Sequence, residues 1–164
     1  MTLEELLKSR DARVERQREL LTAHPGMSLI CLTVQLPGPV KRNELSLKIA
    51  RAGVEAVREA FAPEFEEQRD LETGFESFFL VSLSPADAKR LACSIEDTHP
   101  LGRMMDIDVI VPEAPVTVPL GREALGLPPR KCLLCDNEVR LCMRARTHTT
   151  DELLAKIKEI VDSY

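Results

Sequence analysis

Hydrophobic residues recur along this chain with two periods, and the switches between them mark out its elements. Leu3, Leu7, Val14 and Leu21 return at helical spacing, and Thr2 with Glu5 forms a capping box, so the chain opens with a helix over Thr2 to His24. His24-Pro25-Gly26 ends it. From Ser28 to Leu36 the period falls to two, with Ile30, Leu32, Val34 and Leu36 on one face and Leu29, Cys31, Thr33 and Gln35 on the other, which predicts a strand. Pro37-Gly38-Pro39-Val40-Lys41 follows as a stiff turn that presents Lys41 at a strand end or simply reverses the chain. Asn43 caps a helix to about Ala60 carrying Leu47, Val54 and Val57. Residues 63–74 are acidic and irregular, a strand and turn, and Phe75 to Leu83 is a second well-marked strand. Ser84 with Asp87 opens a helix that ends near His99-Pro100. The β-branched run from Leu101 to Val111, bounded by Gly102 and Pro112, reads as a buried strand, with a short strand at Val116 to Leu120 and a Gly/Pro-rich connection after it. A last helix entered at Thr149 or Thr150 carries Leu153, Leu154, Ile157, Ile160 and Val161. Helices alternating with strands predict an α+β (α/β) domain over residues 1–164, with a mixed sheet of about four to five strands and helices packed against it.

Polar residues interrupt two of these patterns. In the first helix the apolar register runs into Arg10 and Gln17, with Arg13 one step away. Either this middle stretch lines a site or its long side chains snorkel to solvent. In the strand over 101–111, Asp106 and Asp108 lie two apart and share a face. Two carboxylates brought that close raise each other's pKa unless a cation sits between them. Mg²⁺ suits such a pair, because it takes one or two carboxylates and keeps positions for phosphate oxygens. The competing reading is the solvated face of an edge strand.

The five cysteines add a third feature. Cys132 and Cys135 are separated by two residues, Cys142 follows after six more and His148 after five, a set compatible with a tetrahedral zinc site. The same cysteines also fall near one face of a continuous helix, as three reduced core thiols would. In that helix Arg140, Arg144 and His148 form a cationic ridge.

Charge and composition narrow the class. The formal charge of -5 argues against general nucleic-acid binding, and 44% hydrophobic with 30% charged residues is the make-up of an ordinary globular domain. The average conceals a polarity: residues 64–76 hold six acids against one base, and residues 130–148 five Lys or Arg against two acids. A basic patch on an acidic chain suits a local anionic ligand. No apolar run reaches the ~20 residues of a membrane helix and no signal-peptide pattern opens the chain, so a cytoplasmic protein with reduced cysteines is expected.

His99-Pro100-Leu101-Gly102-Arg103-Met104-Met105-Asp106-Ile107-Asp108-Val109, then Leu125-Gly126-Leu127-Pro128-Pro129-Arg130-Lys131-Cys132-Leu133-Leu134-Cys135, then Cys142, Arg144, Arg146 and His148 together resemble the CitX family, the apo-citrate lyase phosphoribosyl-dephospho-CoA transferases. Arg10-Asp11-Ala12-Arg13-Val14 with Arg16-Gln17, and Pro37-Gly38-Pro39-Val40-Lys41, resemble it too, so the likeness runs over nearly the whole chain. The resemblance implies a nucleotidyltransferase-like fold. It implies transfer of the prosthetic group from 2′-(5″-triphosphoribosyl)-3′-dephospho-CoA to a serine of the acyl-carrier (γ) subunit of citrate lyase, with release of diphosphate. On it Asp106 and Asp108 become Mg²⁺ ligands, with Arg103 catalytic beside them and Glu76 a candidate third carboxylate. Arg10, Arg13, Gln17, Lys41, Gly102, Arg130 and Lys131 become substrate-binding candidates, and Arg140, Arg144 and Arg146 a docking ridge for the carrier. Two alternatives stay open: the corresponding transferase of malonate decarboxylase, and a zinc-stabilised binding or chaperone module without chemistry of its own.

Overall fold

The segments that alternate with period two come together in one five-stranded sheet in the computed structural model, which describes residues 2–113 and 116–164. The strands are β1 (Ser28–Val34), β2 (Phe65–Leu71), β3 (Gly74–Val81), β4 (Met105–Glu113) and β5 (Val116–Pro119), in the order β2-β3-β1-β4-β5. Five α-helices are described: α1 (Leu3–Ala23), α2 (Glu44–Phe61), α3 (Pro85–Thr98), α4 (Val139–Ala145) and α5 (Thr150–Asp162). Caps read from the sequence hold their helices: Thr2, Asn43, Ser84 and Thr149 each accept a backbone N–H from three residues on.

The α+β class is as expected, but the mixed sheet is not: all four pairings are antiparallel. A strand-helix-strand unit does join two strands of the same sense, and β1-α2-β2 and β3-α3-β4 both do so here. In each case a third strand inserts between the two, β3 in the first and β1 in the second. Same-sense strands therefore never become neighbours. This is the split β-α-β arrangement, doubled as β-α-β-β-α-β, with α1 and β5 added to it.

The two faces of the sheet bury different things. On one, Ile30, Leu32, Phe79, Ile107 and Val109 pack with α2, α3 and α5 in the main core. On the other, Leu29, Cys31, Phe78, Leu80 and Ile110 form a smaller cluster closed by Leu20 of α1. That second face is apolar over only half its length. One residue pair further along, Thr33 lies between Glu76 of β3 and Asp106 of β4, and Cys31 lies beside Asp108.

The lie of α1 follows from this half-polar face. Its buried residues are Gln17 and Leu20. Leu3, Leu7 and Val14, the stripe that predicted the helix, are 72%, 49% and 39% exposed. The helix turns Leu20 to the apolar half of the sheet and Arg13 and Gln17 to the polar half, so the gap in the apolar register, not the stripe, marks its inner side.

Candidate active site

Strand alternation sets Asp106 and Asp108 side by side on the open half of the sheet, as their spacing predicts. Asp106 is held at both oxygens: Gln35 Nε2 donates to Oδ2 at 2.7 Å, and Arg130 Nη1 to Oδ1 at 3.3 Å. Asp108 is met less closely, by Lys89 Nζ at 3.9 Å from Oδ1. Burial first, and the Asp106 carboxylate second, push the Asp108 carboxyl up to about 6, while Lys89 and Arg13 act in the opposite sense. A carboxyl whose pKa is raised by burial and by a like-charged neighbour is what a dication relieves. The pair thus offers hard oxygen ligands on one face, and the residues present fit Mg²⁺.

The strand that carries the pair is clamped along its outer edge. β5 pairs with β4 only from Ile110 onward, which leaves the backbone of Ile107, between the two aspartates, without a strand partner on that side. Two buried side chains of α3 take its place: Ile107 N–H donates to Glu96 Oε1 at 2.8 Å, and Lys89 Nζ donates to Ile107 O at 3.4 Å. Glu96 is neutralised in turn by Arg122, Nη2 to Oε2 at 2.7 Å, and the same guanidinium spans Asp97. Gly102 lets this end of α3 close on the strand, since a Cβ there would stand 2.4 Å from Ile95 O and 2.6 Å from Glu96 O. Gly102 thus has a packing reason for being glycine.

Cations surround the carboxylates. Arg13 reaches in from α1, with Nη1 3.7 Å from Glu76 Oε2. Gln17 is buried beside it, and burial pushes the nearby Cys31 thiol up to about 12, while the Arg13 charge and Gln17 act in the opposite sense. Glu76 is itself buried between Arg13 and Arg69, its Oε1 without a hydrogen-bond partner, and burial raises its pKa. Arg130 Nη2 also donates to Met105 O at 2.8 Å and Arg103 O at 3.2 Å, locking the chain that enters β4. Arg103 sits beside it, half-buried, its pKa lowered by burial and by the Arg130 charge.

A groove of about 790 Å³ opens on the other side of Glu76, between α1, the Pro39–Arg42 turn and the β2-β3 hairpin. Lys8, Lys41, Arg42 and Arg69 line it, and Lys41 also donates to Leu36 O. Burial, then the nearby Arg10 charge, lowers the Lys41 pKa. Asp106 and Asp108 are not among its lining residues. They lie two strands from Glu76 across Thr33, roughly 10 Å at ordinary strand spacing.

The cysteines converge rather than lining one helix. Lys131 pairs with Glu138 as an isolated antiparallel bridge, and Cys132 N–H donates to Asn137 O at 2.7 Å, so residues 131–138 form a tight knuckle before α4. The Sγ atoms of Cys132, Cys135 and Cys142 and a ring nitrogen of His148 all lie within 4.8 Å of one another. His148 Nε2 is 3.4 Å from Cys135 Sγ, which is 3.5 Å from Cys142 Sγ. A tetrahedron with Zn–S bonds of 2.3 Å has edges of about 3.8 Å, so the set has the size of a metal site. Burial opposes the Cys132 thiolate, but backbone N–H groups of Leu134 and Cys135 and the thiols of Cys142 and Cys135 bring its pKa down to about 7. The predicted ridge loses His148 to this cluster: α4 ends at Ala145 and Arg146 turns left-handed at φ 49°. Arg140, Arg144 and Arg146 are exposed, as are Lys131 and Arg10.

Of the residues singled out from the sequence, the structure brings Asp106, Asp108, Arg13, Gln17, Arg103, Gly102 and Arg130 to one region and Lys41 to the groove beside it, with the exposed Arg10 near Lys41 but not lining the groove. Gln35, Lys89, Glu96 and Arg122 were not foreseen. Gln35 had a signal, since alternation places it on the face of Cys31 and Thr33. So had Lys89 and Glu96, two charges seven apart and hence on one side of a helix.

Among the described residues no helix is long and apolar enough to cross a membrane. The family model "CitX: Apo-citrate lyase phosphoribosyl-dephospho-CoA transferase" matches residues 1–164. The chain is 36% identical to proteins named apo-citrate lyase phosphoribosyl-dephospho-CoA transferase from Escherichia coli O6:K15:H31 (strain 536 / UPEC) and Shigella boydii serotype 18 (strain CDC 3083-94 / BS512), over 99% of this chain and 89% of each relative. With a carboxylate pair in a ring of arginines and lysines and a match from end to end, this chain belongs to the CitX family.

Proposed function

We propose that this single-domain chain is the enzyme that attaches the prosthetic group of citrate lyase. It transfers the phosphoribosyl-dephospho-CoA moiety of triphosphoribosyl-dephospho-CoA to a serine hydroxyl of the apo acyl-carrier (γ) subunit, in the manner of a nucleotidyltransferase. The carrier Oγ–P bond forms, the bond from phosphorus to the leaving diphosphate breaks, and the serine proton is released. The observation that carries this reading is the pair Asp106 and Asp108, side by side on one sheet face, with burial and its neighbour raising the pKa of Asp108 and with Arg13, Arg130 and Lys89 around them.

Asp106 and Asp108 would hold Mg²⁺, which when bound neutralises the charge that builds on the diphosphate. Gln35 and Arg130 would orient the Asp106 carboxylate for the ion. Arg13 and Arg130 clamp phosphate oxygens from either side, with Arg103 behind Arg130, and Gln17 fixes the floor beneath Arg13. Lys41 and Arg10 guide the polyanionic donor along the groove, and Arg140, Arg144 and Arg146, with Lys131, present a positive face to an acidic carrier. The Cys132, Cys135, Cys142 and His148 set binds Zn²⁺ with all four positions filled, which makes it structural, and such thiolates survive in a cytoplasmic setting. Neither a nucleic acid nor a membrane is a partner in this reading.

Intact-mass measurement of apo-carrier after incubation with the enzyme, Mg²⁺ and donor tests the assignment. Citrate lyase carrier should gain the mass of the transferred group on one serine, and malonate decarboxylase carrier should not. Preference for the second acceptor transfers the assignment to that system. Bound zinc with no adduct on either carrier would favour the non-catalytic module.

A further inference from the structure

The knuckle and the carboxylate pair are joined by one residue. Arg130 directly precedes the Lys131–Glu138 bridge, and its own carbonyl accepts from Val139 N–H at 2.9 Å at the start of α4. Its backbone is therefore stitched to both sides of the cysteine knuckle. Its guanidinium, 16% exposed, spans Asp106 Oδ1 and the carbonyls of Arg103 and Met105. The segment that carries it has little to hold it in shape without a metal. Between the turn at Gly126 and the cap of α5 at Thr149, only Cys132 and Cys142 are buried, and α4 is a seven-residue helix with Leu141 and Met143 55% and 69% exposed. Leu133 alone packs on the main core from the middle of the knuckle. A short segment with so small a core folds around its ion.

We propose that zinc in the Cys132-Cys135-Cys142-His148 site sets the position of Arg130 against Asp106, so that the knuckle is a positioning element for the transfer reaction as well as a staple. The ion fixes the hairpin, the hairpin fixes the Arg130 backbone, and the guanidinium then stands at 3.3 Å from Asp106 with Nη2 held by the carbonyls of Arg103 and Met105. Without zinc the Val139-to-Arg130 bond has nothing to hold it, and Asp106 keeps Gln35 but loses its cation. The inference rests on the transferase reading and on zinc as the metal.

The test compares Cys135→Ser, Arg130→Ala and their combination in the whole chain, following zinc content, carrier modification and the guanidinium Nη–Hη NMR signals of Arg130, whose Nη2 donates to backbone carbonyls. Wild-type protein should carry one zinc per chain and a protected Arg130 signal, and Cys135→Ser should lose both. Each single variant should slow kcat by about 10- to 100-fold, the usual effect of removing a supporting interaction around a site. The double variant should be no slower than the slower single one, because both changes break the same link. Should Cys135→Ser fail to fold, stripping zinc from wild type with a chelator and restoring it gives the same readout, and stripping should leave the residual rate of Arg130→Ala unchanged. Multiplicative losses in the double variant, or equal slowing of Arg130→Ala by stripping, overturn the link. Normal turnover by a zinc-free chain overturns the link but leaves the transferase standing. Absence of turnover in wild type with the Arg130 signal still zinc-dependent removes the transferase reading alone.

Discussion

Arg122→Met isolates the support beneath the carboxylate pair. Arg122 is 10% exposed at its side chain and Glu96 2%, and besides their contact of 2.7 Å Glu96 has the Ile107 N–H and, at 4.0 Å, Arg130 Nη1. Methionine keeps the apolar bulk of the arginine and takes away its charge. A carboxylate left buried without its close counter-ion costs about 3–5 kcal/mol. For a domain of this size each kcal/mol is about 2–4 °C in the melting midpoint, so a fall of roughly 6–20 °C is expected. Urea unfolding should show a lower midpoint with an unchanged slope. Adding Glu96→Gln removes the stranded charge while an amide oxygen still accepts from Ile107 N–H, so the double variant should recover most of the loss. A single variant within 1 kcal/mol of wild type, or a double variant less stable than Arg122→Met, would refute the picture of a neutralised carboxylate clamping β4.

Two further outcomes follow from the same region. Asp108 titrates at about 6 in the folded protein against an ordinary 3.8, so between these values the folded state holds a proton that the unfolded chain has released. The urea midpoint of metal-free protein should therefore fall as pH rises through that window, and Asp108→Asn should flatten the slope; a slope unchanged in the variant removes Asp108 as its source. Gly102→Ala places a methyl against two carbonyl oxygens that belong to backbone and cannot turn aside, and overpacking of this kind should cost about 1–3 kcal/mol by urea unfolding. A neutral result would show that the turn at Gly102 yields freely.

Local signals in the sequence were legible and long-range ones were not. Period-two alternation placed β1, apolar runs placed β3 and β4, and side-chain caps at Thr2, Asn43, Ser84 and Thr149 placed four helix starts, because each depends on residues within a few positions of one another. Asp106 and Asp108 were readable for the same reason. Strand order was not, since nothing local says that β3 inserts between β1 and β2, and this is why the sheet came out antiparallel rather than mixed. The first helix misled through its stripe: Leu3 and Leu7 repeat correctly but face outward, while the polar half of the sheet draws Arg13 and Gln17 inward. Glu96, Lys89 and Arg122 escaped notice because their roles depend on a strand edge that exists only once β5 stops pairing at Ile110. The cysteine spacing carried two readings, and the turn from Cys132 to Asn137 favours the converging one.

If Asp106 and Asp108 together hold a divalent cation against the triphosphate of the donor, Mn²⁺ can report it in place of Mg²⁺, by electron paramagnetic resonance during titration of the enzyme with donor present. Wild type should bind Mn²⁺ in a donor-dependent way, and both Asp106→Ala and Asp108→Ala should lose that binding at unchanged zinc content. Binding of equal strength in either variant would contradict that role of the pair.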